Sequence, residues 1–156
     1  NIYGPRMGFK HAIPHIVERF YKNNENPFKI YGANQTRAFC YISDAAKGTV
    51  LAMESNQENS EIYHIGNDNE ITIDFLTKKI GKMFDYKGSY LPAKTYPGSV
   101  SRRSPDIKKS IKLLNYLPEV DLDEGLTTTV DWYKNFFSLN KKIHSGGFKP
   151  PDKLSI

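Results

Sequence analysis

Two kinds of hydrophobic pattern alternate along this chain, and their alternation limits its fold more than any other feature. Segments in which apolar residues recur every three or four positions, as on one face of a helix, are separated by short runs rich in β-branched and aromatic residues. Helices are predicted at about residues 11–23, 43–53, 72–84, 104–115 and 121–137, and strands at 28–31, 37–42 and 62–65. This order of elements is typical of an α/β chain.

Polar residues at the expected helix ends support these boundaries. Ser43 or Asp44 is suited to cap the second helix and Thr72 the third, because short polar side chains accept hydrogen bonds from free backbone N–H groups. The fourth helix is expected to begin at 104–106, Ser-Pro-Asp, and to end at Asn115. Asp121 and the glutamate three residues later form a capping box for the last helix.

The segments without periodicity are expected to be loops. Residues 86–103 contain Gly88, Pro92, Pro97 and Gly98 and are interpreted mainly as a loop, with a short edge strand near Tyr90. Residues 138–156 contain Gly-Gly and Pro-Pro pairs and are predicted to form a flexible tail. The sequence therefore predicts one domain over residues 1–137, followed by a tail at 138–156.

Composition excludes several classes of protein. The 156 residues suffice for one domain of ordinary size, and no stretch approaches the ~20 consecutive apolar residues of a membrane span. We therefore expect no membrane association. The single cysteine, Cys40, cannot form an internal disulfide and fits a reducing compartment, so we expect the cytoplasm.

Most of the excess positive charge lies in residues 101–115. This segment carries five basic side chains against Asp106 alone, within a chain of net charge +5. The lysines are interpreted as a solvated helix face, whereas adjacent Arg102 and Arg103 are better suited to an anion because a guanidinium can contact two phosphate oxygens at once. The cluster leaves open a second function, a non-catalytic basic module that binds nucleic acid or an acidic partner. Nucleic acid is disfavoured because base-stacking aromatic residues are not interleaved with the cluster.

The usual signatures of a complete active site are missing from the sequence. There is no glycine-rich phosphate loop of the dinucleotide-binding or nucleotide-triphosphate type. His11 and His15 share a helical face but have no third ligand nearby, so no metal site is predicted. Tyr90 and Lys94 match the letters of a Tyr-x-x-x-Lys pair, but Pro92 between them is incompatible with a helix interior. No catalytic residue is assigned to this chain.

Three stretches, in this order and spacing, carry a recognisable pattern. The first is Asn-Ile-Tyr-Gly-Pro-Arg at residues 1–6, and the second runs from the strand at 28–31 through Gln-Thr-Arg-Ala-Phe to Asp44. The third begins at Arg102 with Arg-Arg-Ser-Pro-Asp-Ile and ends near residue 126. Together they resemble the C-terminal half of the extended short-chain dehydrogenase/reductases, the NAD-dependent nucleotide-sugar epimerases, dehydratases and decarboxylases. The likeness covers residues 1–137.

The resemblance implies a division of labour between two halves of a longer protein. Proteins of this family have an N-terminal Rossmann half that binds NAD and supplies a catalytic Tyr-x-x-x-Lys pair, and a smaller C-terminal half that binds the nucleotide diphosphate of the sugar. This chain is expected to be the second half, a small mixed sheet with helices, and to lack the first. Alone it is expected to bind no NAD and to show no turnover, and to associate with the Rossmann half or with itself.

Several positions match binding residues of the family. Tyr31 matches the residue that packs on the nucleobase, and Arg37 matches the arginine that grips the diphosphate. Asn1 matches the asparagine whose amide meets the sugar-phosphate end, and Asn69 fits a second polar contact. Without the resemblance, Tyr31 would suit the edge of the core equally well, Arg37 the surface, and both asparagines turns.

The chain also departs from the family pattern. Many members carry Arg-Pro-Gly-Asp or Arg-Pro-Gly-His before the fourth helix, whereas this chain has Tyr-Pro-Gly-Ser at residues 96–99. Tyr96 cannot replace a cation, so Arg102 or Arg103 is expected to supply the second charge. With the Thr-Arg-Ala-Phe stretch at 36–39, this favours a UDP-glucuronate decarboxylase-like member and a UDP-sugar ligand.

Overall fold

The computed structural model describes residues 1–22, 25–55, 61–95 and 97–144, which form five helices and seven short strands. The helices are α1 (Ala12–Lys22), α2 (Ile42–Glu54), α3 (Ile73–Met83), α4 (Lys108–Leu114) and α5 (Leu122–His144). The strands are β1 (Ile2–Tyr3), β2 (Phe28–Tyr31), β3 (Thr36–Ala38), β4 (Cys40–Tyr41), β5 (Glu70–Thr72), β6 (Tyr90–Ala93) and β7 (Arg102–Arg103). The α/β class predicted from the sequence is confirmed.

Within the described residues the strands form three small sheets rather than one. β1 pairs with β4 and β2 pairs with β6, both in parallel. The third sheet is mixed, because its central strand β3 runs antiparallel to β5 and parallel to β7. Its register places Arg37 opposite Arg103 on the neighbouring strand. This pairing positions the cleft described below.

The core lies between the small sheets and the helices α1, α3 and α5, which contact one another. Each helix buries one apolar stripe, as the helical spacing in the sequence predicts. The buried side chains include Tyr3, Val17, Phe28, Ile30, Leu76, Ile80, Leu126, Val130 and Tyr133. No helix of the described residues is both long enough and apolar enough to cross a bilayer.

Two predicted strands differ from the structure. The run at 37–42 is divided at Phe39, because β3 pairs with β5 and β7 whereas β4 pairs with β1. The segment 62–65 is not a strand: it pairs with no strand of the described residues, and side chains meet the carbonyls of His64 and of Gly66 just after it. Ser110 Oγ donates to the His64 carbonyl at 2.7 Å, and Tyr116 OH donates to the Gly66 carbonyl at 2.8 Å.

Local capping explains which helix ends were predicted correctly. Thr72 Oγ1 accepts from the backbone N–H of Phe75 at 3.0 Å, and Asp121 Oδ1 accepts from that of Glu124 at 2.8 Å. Asn115 ends α4 in the left-handed region, with φ of 51°. These three predictions are confirmed.

Three other ends were predicted wrongly or placed too early. Tyr41, not Ser43 or Asp44, stands at the N-cap of α2, and the Asp44 carboxylate instead accepts from the backbone N–H of Val120 at 3.1 Å. α4 begins at Lys108, whose N–H is met at 3.0 Å by the Asp106 carboxylate. α5 continues to His144, past the predicted boundary at residue 137, because residues 138–144 contain no glycine or proline. The rest of the predicted tail, 145–156, lies outside the described residues.

Candidate functional site

A cleft of about 380 Å³ opens between α1, the strands β2 and β3, Thr95 and the segment 98–103. Four of the six residues predicted to bind substrate line it, although they lie far apart in sequence. These four are Asn1, Tyr31, Arg37 and Arg103. Asn69 and Arg102 are not among its lining residues.

The guanidinium of Arg37 forms hydrogen bonds to the segment 99–101, part of which lines the cleft. Its Nη2 donates to the Val100 carbonyl at 2.6 Å and to Gln35 Oε1 at 3.2 Å. Its Nη1 donates to the carbonyls of Thr36 at 2.7 Å and Ser101 at 3.3 Å. Partial burial lowers the pKa of Arg37, and the charge of Arg103 lowers it further. The positive charge of this half-buried group is therefore held against the segment 99–101.

Gln35 ties the turn after β2 to the same segment. Its Oε1 accepts from Ser99 Oγ at 2.9 Å as well as from Arg37. The turn begins at Gly32, with φ of 69°, and a β-carbon there would lie 2.6 Å from Gln35 Oε1. Glycine is therefore required here both by the backbone conformation and by the close approach of an amide side chain.

Arg103 and Arg102 occupy opposite faces of β7, because successive side chains alternate along a strand. Arg103 faces the cleft and is exposed, and its side chain forms no hydrogen bond or ion pair within the described part of the chain. Arg102 instead donates to Glu70, with Nε 3.0 Å from both carboxylate oxygens, and lowers the pKa of that carboxyl. The sequence could not choose between them. The structure brings only Arg103 to the cleft.

Asn69 lies at a different pocket of about 100 Å³, together with Asp121. Phe39 borders both this pocket and the cleft. Asn69 is exposed, and its backbone N–H donates to Asn67 Oδ1 at 2.8 Å, which is the hydrogen bond of an Asx turn. Asn69 therefore does not line the cleft that contains Arg37, and its contact with the same ligand stays a prediction.

The remaining two predicted residues, Asn1 and Tyr31, both line the cleft. Asn1 Nδ2 donates to the Ala38 carbonyl at 3.0 Å, which fixes the amide beside β3. Tyr31, at the end of β2, is half-buried, and the guanidinium carbon of Arg19 lies 5.4 Å from the centre of its ring. The cleft is thus lined by an aromatic ring from β2 as well as by the arginines of β3 and β7.

The wall formed by α1 and by His11 just before it was missed from the sequence. His11, His15 and Arg19 follow one another at four-residue spacing and all line the cleft. Burial lowers the pKa of His15, and the neighbouring positive charge of Arg19 lowers it further. The spacing itself was visible, but on an amphipathic helix it does not show that a polar edge faces a cavity.

Two features that resemble chemical sites have a structural explanation. Tyr90 and Pro92 lie in β6, paired with β2, so Tyr90 and Lys94 do not form the helical pair of a catalytic motif. Cys40 is buried, with its sulfur 3.5 Å from Tyr116 OH, and burial raises its pKa. Among the described residues, no cluster of three or more His, Cys, Asp or Glu side chains could hold a metal ion.

Comparison with known proteins identifies the family. The model of the NAD dependent epimerase/dehydratase family matches residues 1–66. A putative UDP-glucose 4-epimerase of Methanocaldococcus jannaschii is 35% identical over 138 residues, which are 86% of this chain and 44% of the relative. The chain belongs to the NAD-dependent epimerase/dehydratase family.

Solved structures of family members share the fold. The UDP-glucuronic acid 4-epimerase from Bacillus cereus, in complex with UDP-glucuronic acid and NAD, matches with a TM-score of 0.78 and 30% identity. That match covers 87% of this chain and 43% of the epimerase chain. The dTDP-glucose 4,6-dehydratase DesIV from Streptomyces venezuelae, with NAD bound, matches with a TM-score of 0.78 and 28% identity over 89% of this chain and 43% of its own.

The family relatives include decarboxylases as well as epimerases. UDP-glucuronic acid decarboxylase 1 of Arabidopsis thaliana is 30% identical over 86% of this chain and 31% of its own length. The chain spans less than half the length of each of these curated relatives. The chain thus matches only a part of each longer relative. This agrees with the resemblance of its sequence to one half of the family's proteins.

Proposed function

We propose that this chain is the nucleotide-sugar-binding part of an NAD-dependent sugar epimerase, dehydratase or decarboxylase. The cleft would hold the base and diphosphate of a nucleotide-diphosphate sugar. One observation carries this proposal: an aromatic ring from β2 and guanidinium groups from two paired strands, β3 and β7, line the same cleft. The comparison with family members suggests this class of ligand, and the proposal assigns the ligand to this cleft.

The two arginines favour a doubly charged anion. Arg37 and Arg103 are directly opposite each other in the register of two parallel strands, so their side chains bring two positive charges together. Like charges at short range repel, and a diphosphate between them would relieve that repulsion. The planar guanidinium also matches the spacing of phosphate oxygens.

Tyr31 would receive the base in the same cleft. Stacking of a base on an aromatic ring contributes about 1–3 kcal/mol and does not require a specific hydrogen-bond pattern. We propose a UDP-sugar because the structural relative from Bacillus cereus contains UDP-glucuronic acid. Asn1 would meet the sugar-phosphate end of the ligand.

NAD would be bound mainly outside this chain. The sequence contains no glycine-rich turn between a strand and a helix that could receive a dinucleotide pyrophosphate, so these residues do not fit that group. We propose that an N-terminal Rossmann half supplies the NAD site and the proton-transfer residues. This chain would orient the sugar and would show no turnover alone.

The alternative of a basic binding module is less well supported. Arg102 is paired with Glu70 and Lys109 with Glu61, so part of the positive cluster at 101–115 is already neutralised. Arg103 belongs to the cleft rather than to an extended basic surface. The cluster therefore does not form one continuous patch for a nucleic acid or an acidic protein.

Isothermal titration with UDP tests the proposal, and β7 provides a matched pair of variants. Arg103→Ala is expected to weaken UDP binding by about tenfold or more, because a charge-assisted hydrogen bond to phosphate is lost. Arg102→Ala removes the same side chain from the other face of the same strand and is expected to leave the affinity unchanged. Equal losses in both variants, or tight salt-sensitive binding of an oligonucleotide without UDP binding, would refute the proposal.

A further inference from the structure

We propose that Arg19 is a positioning residue that fixes the ring of Tyr31 for stacking on the base. The inference rests on the proposed function, since it concerns the base end of the same cleft. Arg19 lines that cleft but is 9% exposed, so its main contacts are with protein. Its own charge is already paired, which distinguishes it from Arg103.

The guanidinium of Arg19 is fixed by three hydrogen bonds. Nε donates to Glu25 Oε1 at 3.1 Å, and Nη2 donates to Glu25 Oε2 at 2.5 Å. Nη2 also donates to the Lys29 carbonyl at 2.7 Å, within β2. This two-point pairing with a carboxylate fixes the plane of the guanidinium, and the bond to Lys29 fixes it relative to the strand that carries Tyr31.

The fixed guanidinium lies against two rings of β2. Its carbon is 4.1 Å from the ring centre of Phe28 and 5.4 Å from that of Tyr31. Both distances are within the range of cation–π attraction, which favours Arg because its planar group can lie over a ring. Phe28 is fully buried, whereas Tyr31 is half-buried at the cleft. Arg19 therefore connects a rigid part of the core to the ring proposed to receive the base.

A ring that is already oriented loses less freedom when a ligand binds. Immobilising a side chain on binding costs free energy, and preorganisation removes that cost before the ligand arrives. Arg19 would thus contribute to affinity for the base through Tyr31, without touching the diphosphate. Its loss should affect ligands that contain a base and spare ligands that do not.

The test compares two ligands, UDP and inorganic pyrophosphate, in the full chain. Arg19→Met keeps an unbranched apolar stem but removes the charge and the fork of donors. We expect it to weaken UDP binding by about fivefold and to leave pyrophosphate binding unchanged. Arg19→Lys keeps a cation and is expected to recover part of the UDP affinity. In the background of Tyr31→Ala, Arg19→Met should cause no further loss.

Equal loss for both ligands, or a further loss in the Tyr31→Ala background, would overturn the positioning role. If Arg19→Met does not fold because Glu25 loses its partner, the paired variant Arg19→Met/Glu25→Gln takes its place. The ring signals of Tyr31 in the NMR spectrum of the ligand-free protein give an independent measurement. They should shift in Arg19→Met and not in Arg103→Ala, and an unchanged signal would refute the inference. A wild-type chain that binds neither ligand would refute the proposed function while this measurement still decides the role of Arg19.

Discussion

Arg37 reaches the cleft with its terminal donors already used by the protein. Both Nη atoms donate to backbone carbonyls, at 2.7 Å to Thr36 and 2.6 Å to Val100. Within the described residues, only the Nε–H has no hydrogen-bond acceptor. A phosphate that binds Arg37 at two points must therefore displace at least one of its acceptors, most of which belong to the 99–101 segment. Binding at Arg37 and the position of this segment are thus coupled, whereas Arg103 can meet an anion without breaking a bond.

Hydrogen exchange of the 97–103 segment measures this coupling. Arg37→Ala removes the contacts to Val100 and Ser101, so we expect amide exchange in this segment to become about tenfold faster. Arg103→Ala removes a neighbouring cation that bonds to no described residue and should leave the exchange rate unchanged. Addition of UDP to the wild-type chain should alter exchange in the same segment. If Arg37→Ala, Arg103→Ala and the wild-type chain with UDP all exchange at the rate of the ligand-free wild-type chain, the coupling is contradicted.

At the scale of the elements, the features predicted correctly from the sequence were those that depend on residues close together in the chain. The caps at Thr72 and Asp121 depend on residues three positions away, and both were predicted correctly. β5 and β7 were missed because they are three and two residues long and exist only through pairing with β3. Since β7 was not predicted, its alternation could not be used to separate Arg102 from Arg103.

Tyr31 and Arg37 were placed at the cleft through a resemblance rather than through periodicity, and the structure brings both there. Arg19 and Gln35 were missed for a different reason. Their contacts depend on how α1 and the turn after β2 pack against β2 and the 99–101 segment. Tertiary packing of this kind leaves no signal in the local pattern of hydrophobic residues.

Two glycines with positive φ provide a matched test of the turn after β2. Gly32 has φ of 69° and close neighbours, whereas Gly98 has φ of 79° and, apart from its chain neighbours, no atom of the described residues within 4 Å of the position of a β-carbon. Alanine at either position costs about 1–2 kcal/mol of backbone strain. Gly32→Ala must also displace Gln35, so we expect its free energy of unfolding to fall by about 1 kcal/mol more than that of Gly98→Ala.

Urea unfolding of the two glycine variants measures this difference. UDP titration adds a second readout, because displacement of Gln35 should disturb the segment that Gln35 and Arg37 hold together. Gly98→Ala should bind UDP more tightly than Gly32→Ala. Equal stability of the two variants would show that Gln35 yields without cost, and the turn would then have no role in shaping the cleft.

At the scale of the whole molecule, buried tyrosines join segments that are distant in sequence. Tyr133 OH, on α5, donates to the Met7 carbonyl at 2.6 Å, and Tyr116 OH donates to the Gly66 carbonyl at 2.8 Å. Tyr3 lies edge-on to Phe39 and Tyr41 between the small sheets. Burial raises the pKa of all three phenols, to about 12 for Tyr133. These groups must remain protonated for the elements to stay packed.

Alkaline pH should therefore destabilise the chain through these phenols. Between pH 10, the ordinary pKa of tyrosine, and about 12 for Tyr133, the folded state holds protons that the unfolded state has released. The free energy of unfolding is thus expected to fall as pH rises through this window and to be independent of these groups below it. Tyr133→Phe cannot titrate at this position and should show a shallower fall, although it costs about 1 kcal/mol at neutral pH through the lost bond to Met7. Urea unfolding at several pH values compares the slopes. Identical slopes for the two proteins would mean that Tyr133 ionises as readily in the folded chain as in water, which its burial opposes.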